Sequence, residues 1–276
     1  MNISEHTNRF IQEMKRRGYT NDTVKNYASC IRQFFAWSTK DHPKNINEDD
    51  IKNYLGTFTE PNTQRVNHSA IKKFYDICMG QPDKFKFIPY CRKSRKLPIV
   101  LSQDEMVRLF AVCNNLKHKS IMALMYGCGL RISEVLNLKP EHIDSSRMII
   151  NILQAKGKKD RQVMLPDKLL ALLRKYYAVY KPKKYLFNGQ DNAPQYSERS
   201  INLFVKAYAT KAKINSKRIY AHLFRHTSFT HMMENGTDIN LIQKLAGHSS
   251  VKTTMLYCHT SHKLISSIAS PLTSVI

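Results

Sequence analysis

Acidic residues are scarce in this chain: 21 Asp and Glu stand against 44 Lys and Arg, a formal net charge of +23 over 276 residues. Ion pairing within the chain can cancel less than half of that basic charge. The surplus suits a polyanionic partner, because each phosphate neutralised releases condensed counterions. The same shortage leaves no carboxylate cluster near the histidines, which disfavours a metal-dependent nuclease. Long apolar runs are missing, so no segment reads as a membrane span. Residues 1–6 lack the basic stretch and apolar core of a signal peptide. The six cysteines, Cys30, Cys78, Cys91, Cys113, Cys128 and Cys258, form no C-x-x-C pair, so neither zinc nor a disulfide framework is suggested. These absences predict a soluble cytoplasmic protein with no membrane partner, no metal and no cofactor. Internal repeats and low-complexity tracts are missing as well.

What is present divides at about residue 93. Residues 1–93 carry 16 basic and 10 acidic residues, and residues 94–276 carry 28 and 11, so the second part holds most of the charge. Residues 1–80 read as helices. Ser4 can cap the first, which carries Phe10, Ile11 and Met14 and ends at Gly18. Thr23 opens the second, with Val24, Tyr27, Ile31, Phe34 and Phe35 on one face. Stretches 47–58 and 64–79 repeat the pattern. Gly80, Pro82, Pro89 and Pro98 then bracket a basic stretch that reads as a connection rather than a core element. The expected organisation is a helical domain at 1–88, a basic linker at 89–98 and a second domain at 99–276.

The second domain opens with a capping box, Ser102 and Glu105. Helices are expected at 120–126, around Arg131 to Leu138, and at 169–180, 198–212, 221–234, 239–245 and 251–258. Residues 148–153 and 161–165 read as a β-hairpin with Lys156, Lys158 and Lys159 at its tip. The fold class is therefore mainly α with a small β-hairpin (α+β).

Four polar clusters stand out in this second domain: Gly129-Leu-Arg131-Ile-Ser-Glu134, His222-Leu-Phe-Arg225-His226, Gly247-His248, and Tyr257 nine residues later. A guanidinium can bond two phosphate oxygens at once. Arg131 taken alone equally fits a surface arginine paired with Glu134. His222 and Arg225, three residues apart on a helix, point the same way. His222 and His226 have zinc-ligand spacing, but Leu223 stands where a metalloprotease needs glutamate. Tyr257 is one of 14 tyrosines, and residue type alone would make it a packing residue.

Taken jointly, the order and spacing of these clusters resemble the tyrosine recombinase (phage integrase) family, in a two-domain layout like its Xer or integron members. The resemblance spans most of the chain, and the first domain fits the family's DNA-clamping domain. It implies that Arg131 and Arg225 hold a DNA phosphate, that His248 bonds it and that His222 is catalytic. Lys156 becomes the general acid toward the leaving 5′-oxygen, and Tyr257 the nucleophile that forms a 3′-phosphotyrosine without metal or ATP. Glu134 and His226 become supporting residues. A phenol titrates at about 10, and the two arginines are expected to favour its phenolate. Ala246, before Gly247, departs mildly from the family pattern. Duplex DNA is the implied partner, bound by a homotetramer on two sites, as a dimer on each. Further phosphate contacts are expected from Arg16, Arg17, Lys72, Lys73, Arg92, Lys93, Arg95, Lys96, Lys158 and Lys159. No arm-binding domain is expected before the helical one. The rival readings are a type IB topoisomerase with the same chemistry and a non-catalytic DNA-binding regulator on the same fold.

Overall fold

The computed structural model describes residues 3–92, 99–153, 160–189, 195–216 and 219–257. The chain forms two compact units, Met1–Lys96 and Leu97–Ile276. Among the described residues, no helix is long and apolar enough to cross a membrane.

The first unit contains α1 (Ile3–Arg16), α2 (Asn21–Trp37), α3 (Glu48–Gly56) and α4 (Pro61–Phe74), the last continued by a π turn at Tyr75–Met79. Ser4 lies inside α1 rather than capping it. The cap of α2 is Thr20, three residues before the expected Thr23; its Oγ1 accepts from the Thr23 N–H. Both threonines have the right chemistry, and the one left outside the helix does the capping. Asn47 and Asp50 form a reciprocal capping box on α3, with bonds of 2.8 and 2.9 Å. Apolar residues three and four apart converge in a core of Phe10, Met14, Ile31, Phe34, Phe35 and Phe74. Phe74 takes Phe10 and Phe35 edge-on, at 5.7 and 5.0 Å between ring centres.

The stretch after Gly80 differs from expectation. Phe85 and Ile88 are buried in this core, and Arg65 donates to the Cys91 carbonyl at 2.8 Å. Two residues of the proline-interrupted stretch are therefore core, while most of its other described residues are exposed. Its two apolar anchors are masked in the sequence by intervening lysines and prolines. Lys93, Arg95 and Lys96 lie outside the described residues.

The second unit contains α5 (Gln103–Ala111), α6 (Leu116–Gly127), α7 (Ile132–Asn137), α8 (Asp167–Tyr180), α9 (Glu198–Lys211), α10 (Ala221–Glu234), α11 (Ile239–Ala246) and α12 (Val251–Thr254). The Ser102–Glu105 box caps α5 as the sequence implies, at 3.1 and 2.8 Å. Helix α6 is apolar on most faces because it is central, packing on both α8 and α10. A three-stranded antiparallel sheet is ordered β1 (Ile143–Asp144), β2 (Ile149–Ile152), β3 (Arg161–Met164). Ile150 pairs with Val163 and Ile152 with Arg161, so the apolar members of the hairpin face the core. Two-residue β1 is too short for a sequence signal. The hairpin tip, with Lys156, Lys158 and Lys159, lies outside the described residues.

Helix α12 is shorter than the expected 251–258. After Thr254 the backbone tightens, and the Tyr257 N–H donates to the Thr254 carbonyl at 3.0 Å. That turn carries the Tyr257 ring inward, where it is buried. Cys258 and residues 259–276 lie outside the described residues.

Candidate active site

The first arginine is placed by a glycine. Helix α6 ends at Gly127, and Gly129 takes a left-handed conformation, φ +61°. A Cβ there would lie 2.5 Å from Cζ of Phe229 on α10, so a side chain is excluded sterically as well as conformationally. Leu130 is buried behind the turn, and Arg131 becomes the residue that precedes α7. Glu134 holds it twice: the Arg131 backbone N–H donates to Oε2 at 2.8 Å and Nη1 to Oε1 at 2.7 Å.

Helix α10 supplies His222, Arg225 and His226. Arg225 is 1% exposed, its guanidinium 4.8 Å above the Phe229 ring. Nη1 donates to the Gly129 carbonyl at 2.6 Å and Nη2 to the Ala246 carbonyl at 2.5 Å. Arg131 Nη2 donates to the same Ala246 oxygen at 3.0 Å. The two arginines thus share the last carbonyl of α11, at the helix end that carries partial negative charge. Burial and then the neighbouring Arg131 bring the Arg225 pKa down to about 10, so it stays cationic at neutral pH.

Gly247, at φ +61°, ends α11 and presents His248. Arg225 Nη2 lies 3.4 Å from His248 Nε2, and His248 Nδ1 lies 3.0 Å from Thr254 Oγ1. A guanidinium can only donate, so Nε2 accepts and the proton resides on Nδ1. Burial, then Arg225 and Arg131, lower the His248 pKa to about 4. His222 lies on the exposed rim. Desolvation, then His226 and the two arginines, lower it to about 4 as well. The His226 ring meets His222 edge-on at 4.7 Å and lies 5.8 Å from Tyr257. Among the described residues no group of three His, Cys, Asp or Glu could hold a metal ion.

Tyr257 is 2% exposed, stacked on His248 at 6.1 Å and packed on Phe229 at 5.4 Å. Its pKa is raised: burial outweighs the lowering by Arg225 and Arg131. The expectation that the arginines favour the phenolate is therefore corrected for the free protein, where desolvation wins. A cleft of about 1040 Å³ is lined by Arg131, His222, Arg225, His226, His248 and Tyr257, together with Arg161. Five of the six residues expected to do chemistry thus meet in one place, and the sixth, Lys156, is outside the described residues.

Arg161 was missed by the sequence reading. It lies on β3, where a Lys-rich surrounding makes a basic residue read as solvated. Instead its side chain is 9% exposed and forked onto Glu134. Glu134 is buried, which alone would raise its pKa. The hydrogen bonds and charge of Arg161, then the bonds from Arg131, bring it to about 2. Of the residues expected to contact phosphate elsewhere, Arg16, Arg17, Lys72, Lys73 and Arg92 belong to the first unit. Arg16 pairs with Glu13 and Lys73 with Asp76.

Comparison with known proteins agrees on one family. The phage integrase family model matches residues 100–263, and the model of the phage integrase N-terminal SAM-like domain matches residues 7–82. A provisionally named integrase/recombinase of Sinorhizobium fredii is 33% identical over 269 residues, covering 95% of this chain and 87% of that one. A tyrosine recombinase of Thermosipho africanus is 29% identical over 262 residues, covering 89% and 91%. In fold, the chain is similar to a lambda integrase dimer crystallised on a core site. The TM-score is 0.76 at 16% identity, over 93% of this chain and 95% of that one.

Proposed function

Because the chain belongs to the phage integrase family and is a site-specific recombinase of the tyrosine type, we propose that Tyr257 is its nucleophile and that Arg131, Arg225, His222 and His248 receive the scissile phosphate. The observation that carries this reading is the convergence of these five residues, from distant parts of the sequence, on one cationic cleft.

Duplex DNA is the substrate, in keeping with the chain's basic charge and with the core-site DNA in the lambda integrase structure. The Tyr257 oxygen attacks phosphorus and loses its proton. The P–O bond to the 5′-oxygen breaks, and that oxygen leaves as a hydroxyl, protonated by Lys156. The product is a 3′-phosphotyrosine. A 5′-hydroxyl of a partner strand reverses the step, releasing Tyr257 and joining new strands. The phosphoester energy is conserved, so no nucleotide is consumed. Catalysis rests on positioning and on charge stabilisation. An incoming phosphate adds hydrogen-bond acceptors and negative charge beside both guanidiniums. The phenolate then forms only as the pentacovalent phosphorus does, since burial keeps the free phenol protonated.

The test is covalent trapping. Nicked suicide duplexes spanning the DNA that flanks the gene are incubated in EDTA with wild type and with Tyr257→Phe, and run on a denaturing gel. The expected result is a protein–DNA adduct with wild type alone, with DNA binding retained by the variant. An adduct formed by Tyr257→Phe ends the assignment. Strand exchange between two sites requires four protomers, a dimer on each. The apolar residues Leu264, Ile265, Ile268, Leu272, Val275 and Ile276 would dock on a neighbour. Deleting 261–276 is expected to leave DNA binding and reduce its cooperativity; unchanged cooperativity rejects that docking.

A further inference from the structure

Arg161 has no part in the reaction as written, yet all three of its side-chain nitrogens are engaged. Nη1 and Nη2 donate to Glu134 Oε1 and Oε2, both at 2.8 Å, and Nε donates to the Leu245 carbonyl at 2.8 Å. Glu134 in turn accepts four bonds, two from Arg161 and two from Arg131, with a side chain only 5% exposed. Three of its five N–H donors are thus committed to protein acceptors, and its side chain is only 9% exposed. Its proximity to Gly247 is equally specific: a Cβ on Gly247 would sit 3.2 Å from Arg161 Cδ.

The charge count explains why a second arginine is needed. A buried carboxylate bonded to Arg131 alone would orient it and also neutralise it. The pair would then offer a phosphate direction but little attraction. With Arg161 forked onto the same carboxylate, the group of three is a net cation, and Arg131 is held without being cancelled. Resting on the proposed role of Arg131, we propose that Arg161 is a positioning residue of the reaction. Its charge balances Glu134, so that Glu134 can aim Arg131 at the scissile phosphate with the arginine's positive charge intact.

A structural role would be lost with stability, whereas this electrostatic one is lost with phosphate affinity in a variant that still folds, and both should recover on a second substitution. Removing one partner of a buried pair leaves an uncompensated charge, whereas removing both does not. The experiment uses inorganic phosphate as probe and the full chain, at constant ionic strength, with folding checked by circular dichroism. Arg161→Gln is expected to weaken phosphate binding roughly tenfold, the scale of coupling within one ion-pair network. Glu134→Gln added to it should restore binding to within about threefold of wild type, and Arg161→Lys, which keeps the charge, should do the same. Wild-type binding by Arg161→Gln overturns the proposal. So does a double variant, or Arg161→Lys, as weak as Arg161→Gln, and so does an absence of phosphate binding by wild type. If Arg161→Gln does not fold, wild type, Arg161→Lys and the double variant decide: all three must bind within about threefold. Adduct formation is measured separately. Loss of the adduct with the phosphate order intact would sink the reaction and leave this inference standing.

Discussion

Gly129 and Arg225 make the tightest demands on single residues. Gly129 needs both a left-handed backbone and the absence of a Cβ, because the Phe229 ring fills that space. Gly129→Ala is expected to cost about 1–3 kcal/mol from the backbone alone, with a clash added. An unchanged thermal midpoint would contradict this. Arg131→Ala and Arg225→Ala should each raise the barrier to adduct formation by about 2.7–4 kcal/mol, the scale of a lost oxyanion donor. Single-turnover cleavage on the trapping duplex measures it, and a loss under about tenfold would mean that the arginine does not face the charge that develops. At this scale the family resemblance singled out Arg131, His222, Arg225, His248 and Tyr257, whose residue types alone fit surface or packing positions, and the fold gathers these five in one cleft. The sequence did not show their electrostatics. The raised pKa of Tyr257 and the engagement of Arg161 depend on burial, and burial is set by elements distant in sequence.

Elements were legible where periodicity or a cap announces them. The capping box of Ser102 and Glu105, the hairpin of β2 and β3 and the extent of α10 all follow from local chemistry. Ser102→Ala should lower stability by about 1 kcal/mol, read as a shift in denaturant midpoint with unchanged slope. Three features were not legible for the same reason: a tertiary contact overrides a local signal. Phe85 and Ile88 are drawn into the first unit's core from a proline-rich stretch. Helix α12 stops after Thr254, whose hydroxyl meets His248 Nδ1, and the following turn directs Tyr257 inward. Strand β1 exists only as the partner of β2.

Acid sensitivity belongs to the second unit as a whole. His248 titrates near 4 when folded against an ordinary 6.5, so the unfolded chain takes up its proton first. Stability therefore falls as pH drops from about 6.5 to about 4. Glu134 titrates near 2 against 4.5, so its ion pairs contribute fully above the ordinary value and are lost as pH falls toward 2. That loss is on the order of 3 kcal/mol. Both groups act in the same direction. Thermal midpoints followed by circular dichroism should decline continuously below about pH 6.5, and His248→Gln should make the upper part of the curve shallower, with His222, which is lowered likewise, contributing the rest. A midpoint independent of pH from 7 to 4 would refute the assignment. The charge of +23 predicts, separately, that DNA affinity falls steeply and log-linearly with salt.

The residues that share the Ala246 carbonyl and the cleft come from α6–α7, β3, α10 and the segment after α11, and Tyr257 is the last of them in chain order. During synthesis, then, every other component of the cleft has left the ribosome before Tyr257, the proposed nucleophile, does. The proposed capacity to cut DNA is thereby tied to the last part of the cleft to be synthesised.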